Sequence, residues 1–177
     1  MHLSQIMVAS CAAVLLAVGC SGDTVAENIA ENALEDALGG EADVDFDEDG
    51  GITVETSEGT FEQNIGGSVP DDFPANVPLL DFEVQHSLSM TDDEVRGWTV
   101  TMAGTGSATA IAETIKSDFA DAGFSVSNES TSTSDDHVTI TMFFESETHT
   151  AIVGVNENAD AGETIVSYIV NEVDATS

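Results

Sequence analysis

From Leu80 onward, apolar and polar residues alternate with a period of two. Phe82, Val84, His86, Leu88 and Met90 form one run, and Trp98, Val100 and Met102 form another after a turn near Asp92 and Asp93. A strand places every second side chain on one face, so both runs are predicted strands. After Ser107 the period lengthens, and Ala108, Ile111, Ala112, Ile115 and Phe119 make one stripe of a helix. Ser107 supplies the N-cap and Gly123 the stop. With Gly123 just past the cap, Phe119 and Phe124 occupy the two apolar contact positions of a Schellman ending. Further strands are predicted over 124–128, 137–144, 149–155 and 163–170, separated by polar turns. The order β-β-α-β-β-β-β over 80–177 predicts an α+β fold, a two-layer sandwich in which one helix covers a face of an antiparallel sheet. Burying the helix stripe stabilises it by several kcal/mol, at about 25 cal/mol per Å² of apolar area.

The stretch 24–38, TVAENIAENALEDAL, has helical periodicity: Val25, Ile29, Ala33 and Ala37 lie in one stripe, with Ala26, Ala30, Leu34 and Leu38 beside it. Thr24 and Glu27 match a capping box, and Gly39 ends the helix. At about 1.5 Å per residue it extends about 22 Å. Its alanine-rich face suits docking on the body, pairing with another helix, or service as a tether.

Next comes DVDFDEDGGITVET, residues 43–56, with aspartates at every second position. Asp45, Asp47, Asp49 and Gly50 match the first half of an EF-hand calcium loop, and Ile52 falls on its apolar position. The position of the bidentate glutamate holds Thr56, and Glu55 stands one residue early. A hairpin accounts for more of the residues. A three-residue turn at 49–51, with Gly51 left-handed, sets Phe46 opposite Val54, and a second turn at 56–59 sets Phe61 against Val54. The other face then carries aspartates and threonines in solvent. This predicts an acidic meander over 43–65, with weak calcium binding by Asp45, Asp47, Asp49 and Glu55 as the alternative. All three prolines, Pro70, Pro74 and Pro78, follow Gly66 and Gly67. They favour extended chain, which makes 66–79 a linker that Phe73, Val77 and Leu79 clip onto the domain.

At the other end of the chain, residues 6–18 carry no charge. The run is shorter than the roughly 20 residues needed to span a bilayer and has the length of a signal-peptide core. Leu16-Ala17-Val18-Gly19-Cys20 resembles the lipobox of bacterial lipoproteins, departing from it in Ala17, where leucine is usual, and in the absence of Lys or Arg before the apolar run. The resemblance implies that 1–19 is a removed signal peptide and that Cys20 is lipidated. It also implies an exported body, held to a membrane by a lipid anchor and facing the periplasm or the exterior, with 20–42 as anchor and spacer. Cys11 lies inside the signal, so the mature chain keeps Cys20 alone and forms no internal disulfide.

Charge narrows the choice of partner. The chain holds 34 Asp and Glu against only Arg96 and Lys116, a formal net charge of -32 over 177 residues. Such a chain repels polyanions, which excludes nucleic acid as a partner. The acids are spread among valines, isoleucines and phenylalanines, a composition unlike that of a disordered chain and similar to proteins of salt-adapted organisms. The fold is therefore expected to need salt.

Candidate chemistry is sparse. With a turn at Ser146-Glu147, His149 faces Phe144 while His137 opens the same hairpin about 23 Å away, so the two cannot share an ion. His86 has no required partner. Gly104-Thr105-Gly106-Ser107 lies where phosphate loops occur, but Thr109 replaces the third glycine and no Walker lysine follows. No G-x-S-x-G is present, and Trp98 reads as core. These features predict a non-enzymatic, lipid-anchored module that binds a protein or envelope component. A weak calcium-binding protein and a hydrolase with an unrecognised site are the alternatives.

Overall fold

A computed structural model describes residues 43–46, 51–57, 59–92, 96–134, 137–158 and 160–173. The signal peptide, Cys20, the predicted helix at 24–38, and Asp47 and Asp49 lie outside the described residues.

Among the described residues the elements are β1 (Asp43–Phe46), β2 (Ile52–Thr56), β3 (Gly59–Ile65), β4 (Glu83–Asp92), β5 (Arg96–Gly104), α1 (Ala108–Asp121), β6 (Ser125–Thr133), β7 (His137–Glu145), β8 (His149–Asn158) and β9 (Glu163–Glu172). All the strands belong to one nine-stranded sheet in the order β1-β2-β3-β4-β5-β9-β8-β7-β6. After β5 the chain crosses by way of α1 to the far edge and returns strand by strand, so that β9 closes against β5. β3 pairs with β4 from Gly59–Asp92 to Ile65–His86. The meander thus continues the same sheet, and the proline-rich stretch is a strap folded across one face of it.

Under α1 and the strap lies the core. Phe119 packs on Phe144, Phe124 and Tyr168 with ring centroids 4.2, 5.1 and 6.4 Å apart. Val77 is buried, and Phe73, Leu79, Leu80 and Phe82 pack beside it. Pro70 and Pro74 accept hydrogen bonds from Phe73 and Val77 in turns that fold the strap down. Trp98 is buried and donates its indole N–H to Asp72 at 3.0 Å. Gly104 lets the strap come close, since a Cβ there would lie 2.5 Å from the Phe82 ring.

The helix ends as its sequence dictates. Phe124 N–H donates to Phe119 O at 2.9 Å and Gly123 N–H to Ala120 O at 3.1 Å, the paired bonds of a Schellman motif. Gly123 has φ of 88°, open to glycine at no steric cost. At the other end, the Ser107 hydroxyl accepts from Ala110 N–H at 3.3 Å.

Two registers differ from those predicted. Phe46 faces Ile52, and Val54 faces Val44 on one side and Phe61 on the other. Five residues, not three, separate β1 from β2, which shifts the pairing by two. The 56–59 turn and the Val54–Phe61 pair form as expected. In β4 a bulge between Val84 and His86 reverses the facing. Val84 turns toward the core, while His86, Leu88 and Met90 face the other side and Ser87 and Ser89 are buried under the strap. Ser87 settles its hydroxyl by donating to Ser68 O at 2.8 Å.

Candidate binding face

Directly opposed residues of adjacent strands share a face, so the register defines what each side of the sheet presents. On the side away from α1, one row crosses the whole sheet: Phe46, Ile52, Gln63, Leu88, Thr99, Ile169, Ile152, Phe143 and Asn128. The row beside it reads Ile65, His86, Thr101, Ser167, Gly154 and Thr141. On its other flank lie Val44, Val54, Phe61, Met90, Gly97, Asn171 and Thr150. None of these residues is a carboxylate. Among the described residues the acids on this side, Glu83, Asp92, Glu145 and Glu163, stand at strand ends.

In a chain of net charge -32, such a face is an unusual composition. Ile169, Met90 and Ile65 remain 43, 45 and 54 % exposed, and Phe143, Ile152 and Leu88 are half-buried. An apolar centre within a charged rim is the anatomy of an interaction surface. A shallow depression at one end is lined by Val54, Phe61 and Met90, with threonines and Asp92 around it.

Carboxylates on the meander take the opposite side. Asp43 faces Glu55 directly, and Asp45 faces Thr53. Asp45 and Glu55, the two described members of the predicted calcium set, thus stand exposed on that side. Among the described residues no group of three or more His, Cys, Asp or Glu is placed to hold a metal ion.

The three described histidines lie apart. His86 sits on the open face beside Thr101, and His137 pairs with Asn158 at the opposite end of β7 from the Ser146 turn. His149 faces Ser146 and not Phe144, because the hairpin turns at Glu147-Thr148 and places Phe144 opposite Ala151. Its ring lies 6.1 Å from Trp98, and its Nδ1 is 2.8 Å from the Thr148 hydroxyl. Burial lowers its pKa from the ordinary 6.5, and Glu172 offsets part of that fall. The folded state therefore holds fewer protons than the unfolded chain below that value. His149 contributes stability that is full above pH 6.5 and is lost as pH falls through its folded-state pKa, and His149→Gln is expected to remove this part of the pH dependence in urea titrations.

The helix entrance holds the chain's own anion. Glu157 Oε2 accepts from Ala108 N–H at 2.7 Å, and Thr164 donates to Gly106 O at 2.6 Å. A carboxylate from β8 thus occupies the position a phosphate would take. Glu157→Ala is expected to cost about 1–2 kcal/mol in chemical denaturation and Glu157→Gln less, since the amide retains an acceptor. No sequence signal marked this contact, because Glu157 lies in a polar stretch, Asn156-Glu157-Asn158, that resembles a turn.

Lys116 Nζ lies 2.7 Å from Glu113 and 3.2 Å from Glu129, tying α1 to the edge strand β6. Hydrogen bonds to Glu113 and then Glu129 hold its pKa above the ordinary value. Burial pushes the Tyr168 phenol far up. The nearby Leu80 backbone offsets part of that rise, and among the described residues the hydroxyl makes no hydrogen bond. Tyr168 is fully buried in the core.

Among the described residues, no helix is long and apolar enough to cross a membrane. Comparison of the chain with protein-family models and with curated proteins gives no match.

Proposed function

We propose that this protein is a lipid-anchored, non-enzymatic module of the cell envelope or surface whose open sheet face binds a protein or an envelope component. The observation that supports it most is the strip Phe143, Ile152 and Ile169, three adjacent apolar side chains on a face whose described acids stand only at strand ends, in a chain with net charge -32. Acids dispersed at random would have interrupted that face. A partner that meets it presents an uncharged or apolar surface, because strongly anionic partners are repelled by the rim and by the body behind it. Anchoring rests on the lipobox-like ending at Cys20. One acyl chain binds a bilayer only marginally, so stable attachment takes the several chains that lipoprotein maturation adds.

The test uses Ile169→Glu, a substitution at a surface position that leaves the core intact. Protein recovered from solubilised membranes should bring down a partner as the parent chain and lose it as the variant. Equal recovery from both, or recovery of neither, overturns the assignment of the face. Mass spectrometry of the N-terminal peptide tests the anchor separately, and an unmodified Cys20 in native material removes it.

A further inference from the structure

Among the described residues the sheet has two edge strands, and they are guarded differently. β1 is four residues long and carries Asp43 and Asp45, so it offers another chain little length and two charges. β6, at the far edge, has nine residues, all of them exposed, with Val126 at 45 %. Its sequence, SVSNESTST, contains no proline, lysine or arginine, and its one carboxylate, Glu129, is paired with Lys116. The bulge between Val126 and Asn128 interrupts pairing near one end only, since 128–133 pair without a break with 138–143 of β7. Such an edge invites pairing with another chain unless something covers it.

The same strand contains Asn128-Glu129-Ser130, the one Asn-x-Ser/Thr triplet in the sequence. That triplet is the acceptor pattern for N-linked glycosylation. Residues two apart in a strand project to the same side, so the Asn128 carboxamide and the Ser130 hydroxyl stand together, opposite Phe143 and Thr141 of β7. Both are exposed at the outer margin of the sheet.

We propose that Asn128 is N-glycosylated and that its glycan shields the β6 edge. The site rests on the exported state proposed above, because the sugar donor, an oligosaccharide on a lipid phosphate, is used on the outer side of a membrane. In the transfer, the Asn128 amide nitrogen bonds to the anomeric carbon of the sugar. The bond from that carbon to the phosphate oxygen breaks, its electron pair leaves with the phosphate, and one amide proton passes to a base of the transferase. The folded protein accommodates the product, since the carboxamide already points into solvent. Lysine, a common guard of sheet edges, is scarce here: the one lysine is held by Glu113 and Glu129. A glycan supplies solvated bulk without using a cation. It borders the open face beside Phe143 and leaves Ile152 and Ile169, two and three strands away, for a partner.

Trypsin cuts after Lys116, the last cation in the chain, so one peptide, 117–177, carries the site. Fragmentation of that peptide from native material should place the mass of one or more sugars on Asn128. Ser130→Ala should abolish the added mass and Ser130→Thr should keep it. In molar salt, Asn128→Gln should self-associate more than the glycosylated parent in sedimentation, with slowed amide exchange in β6. A bare Asn128, or sugar on a hydroxyl instead, overturns the site alone when residues 1–19 have been removed. Retention of 1–19 overturns export and the site together. Should Asn128→Gln associate no more than the parent, the shielding is overturned.

Discussion

Phe119→Ala is expected to cost about 3–5 kcal/mol, the range for removing a fully enclosed aromatic ring. Phe119 has no exposed surface, and its ring meets Phe144 and Tyr168 of the sheet as well as Phe124 past the helix end. Truncation opens a cavity where α1 sits on β7 and β9, and it removes the apolar half of the Schellman ending. Against a typical total of about 5–15 kcal/mol, that loss consumes a large part of the stability. It corresponds to a fall in melting midpoint of about 10 °C or more. Trp98, the single tryptophan, lies buried beneath the strap and serves as the fluorescent reporter in a urea titration. Phe119→Leu should lose less, since it keeps most of the apolar volume. A loss under about 1 kcal/mol for the alanine variant would show that α1 does not seal the core as described.

The second large effect is that of salt. With 34 acids against two cations, the folded body concentrates negative charge that the unfolded chain can spread apart. The meander makes the conflict local, because Asp43 and Glu55 are directly opposed across β1 and β2, where like charges destabilise. Screening acts over about 10 Å at 0.1 M and about 3 Å at 1 M, so molar salt removes most of the repulsion. The melting midpoint should therefore climb by about 10 °C or more between dilute buffer and molar potassium chloride, equivalent to a few kcal/mol for a body of this size. Glu55→Lys, which places opposite charges face to face, should raise the midpoint in dilute buffer and flatten its salt dependence. Identical midpoints in the two solutions would refute a charge-limited fold.

Local features were the legible ones. The limits of α1 follow from Ser107, the 3.6-residue stripe, and the Gly123-Phe124 pair, all of which act within a turn of one another. The Val54–Phe61 register follows from a four-residue turn, whereas the register of Phe46 depends on a five-residue connection that the Asp-Gly-Gly pattern disguises as a shorter one. β6 runs to Thr133, beyond the predicted 128, because it lies at a sheet edge and pairs with β7 through serines and threonines that bury nothing. Hydrogen bonding to a neighbour carries the strand past the end of its apolar run.

The candidate face was not legible, because period-two alternation identifies two faces without saying which one is covered. Strands β7 and β9 have apolar side chains on both, Phe143 with Phe144 and Ile169 with Val170. A bulge at Gln85 that no residue type announces moves Leu88 and Met90 from the expected core side to the open side.

By itself, the amino-acid sequence determined the mostly antiparallel strands, the single described helix with both of its caps, and the excess of negative charge, since each depends on neighbours a few residues apart or on composition alone. Tertiary structure decided that β9 inserts beside β5, that the meander joins the main sheet, that Glu157 closes the helix entrance, and that the side away from α1 carries its described acids only at strand ends. Those outcomes depend on contacts between residues far apart in the chain, whose energies appear only when the sheet is assembled.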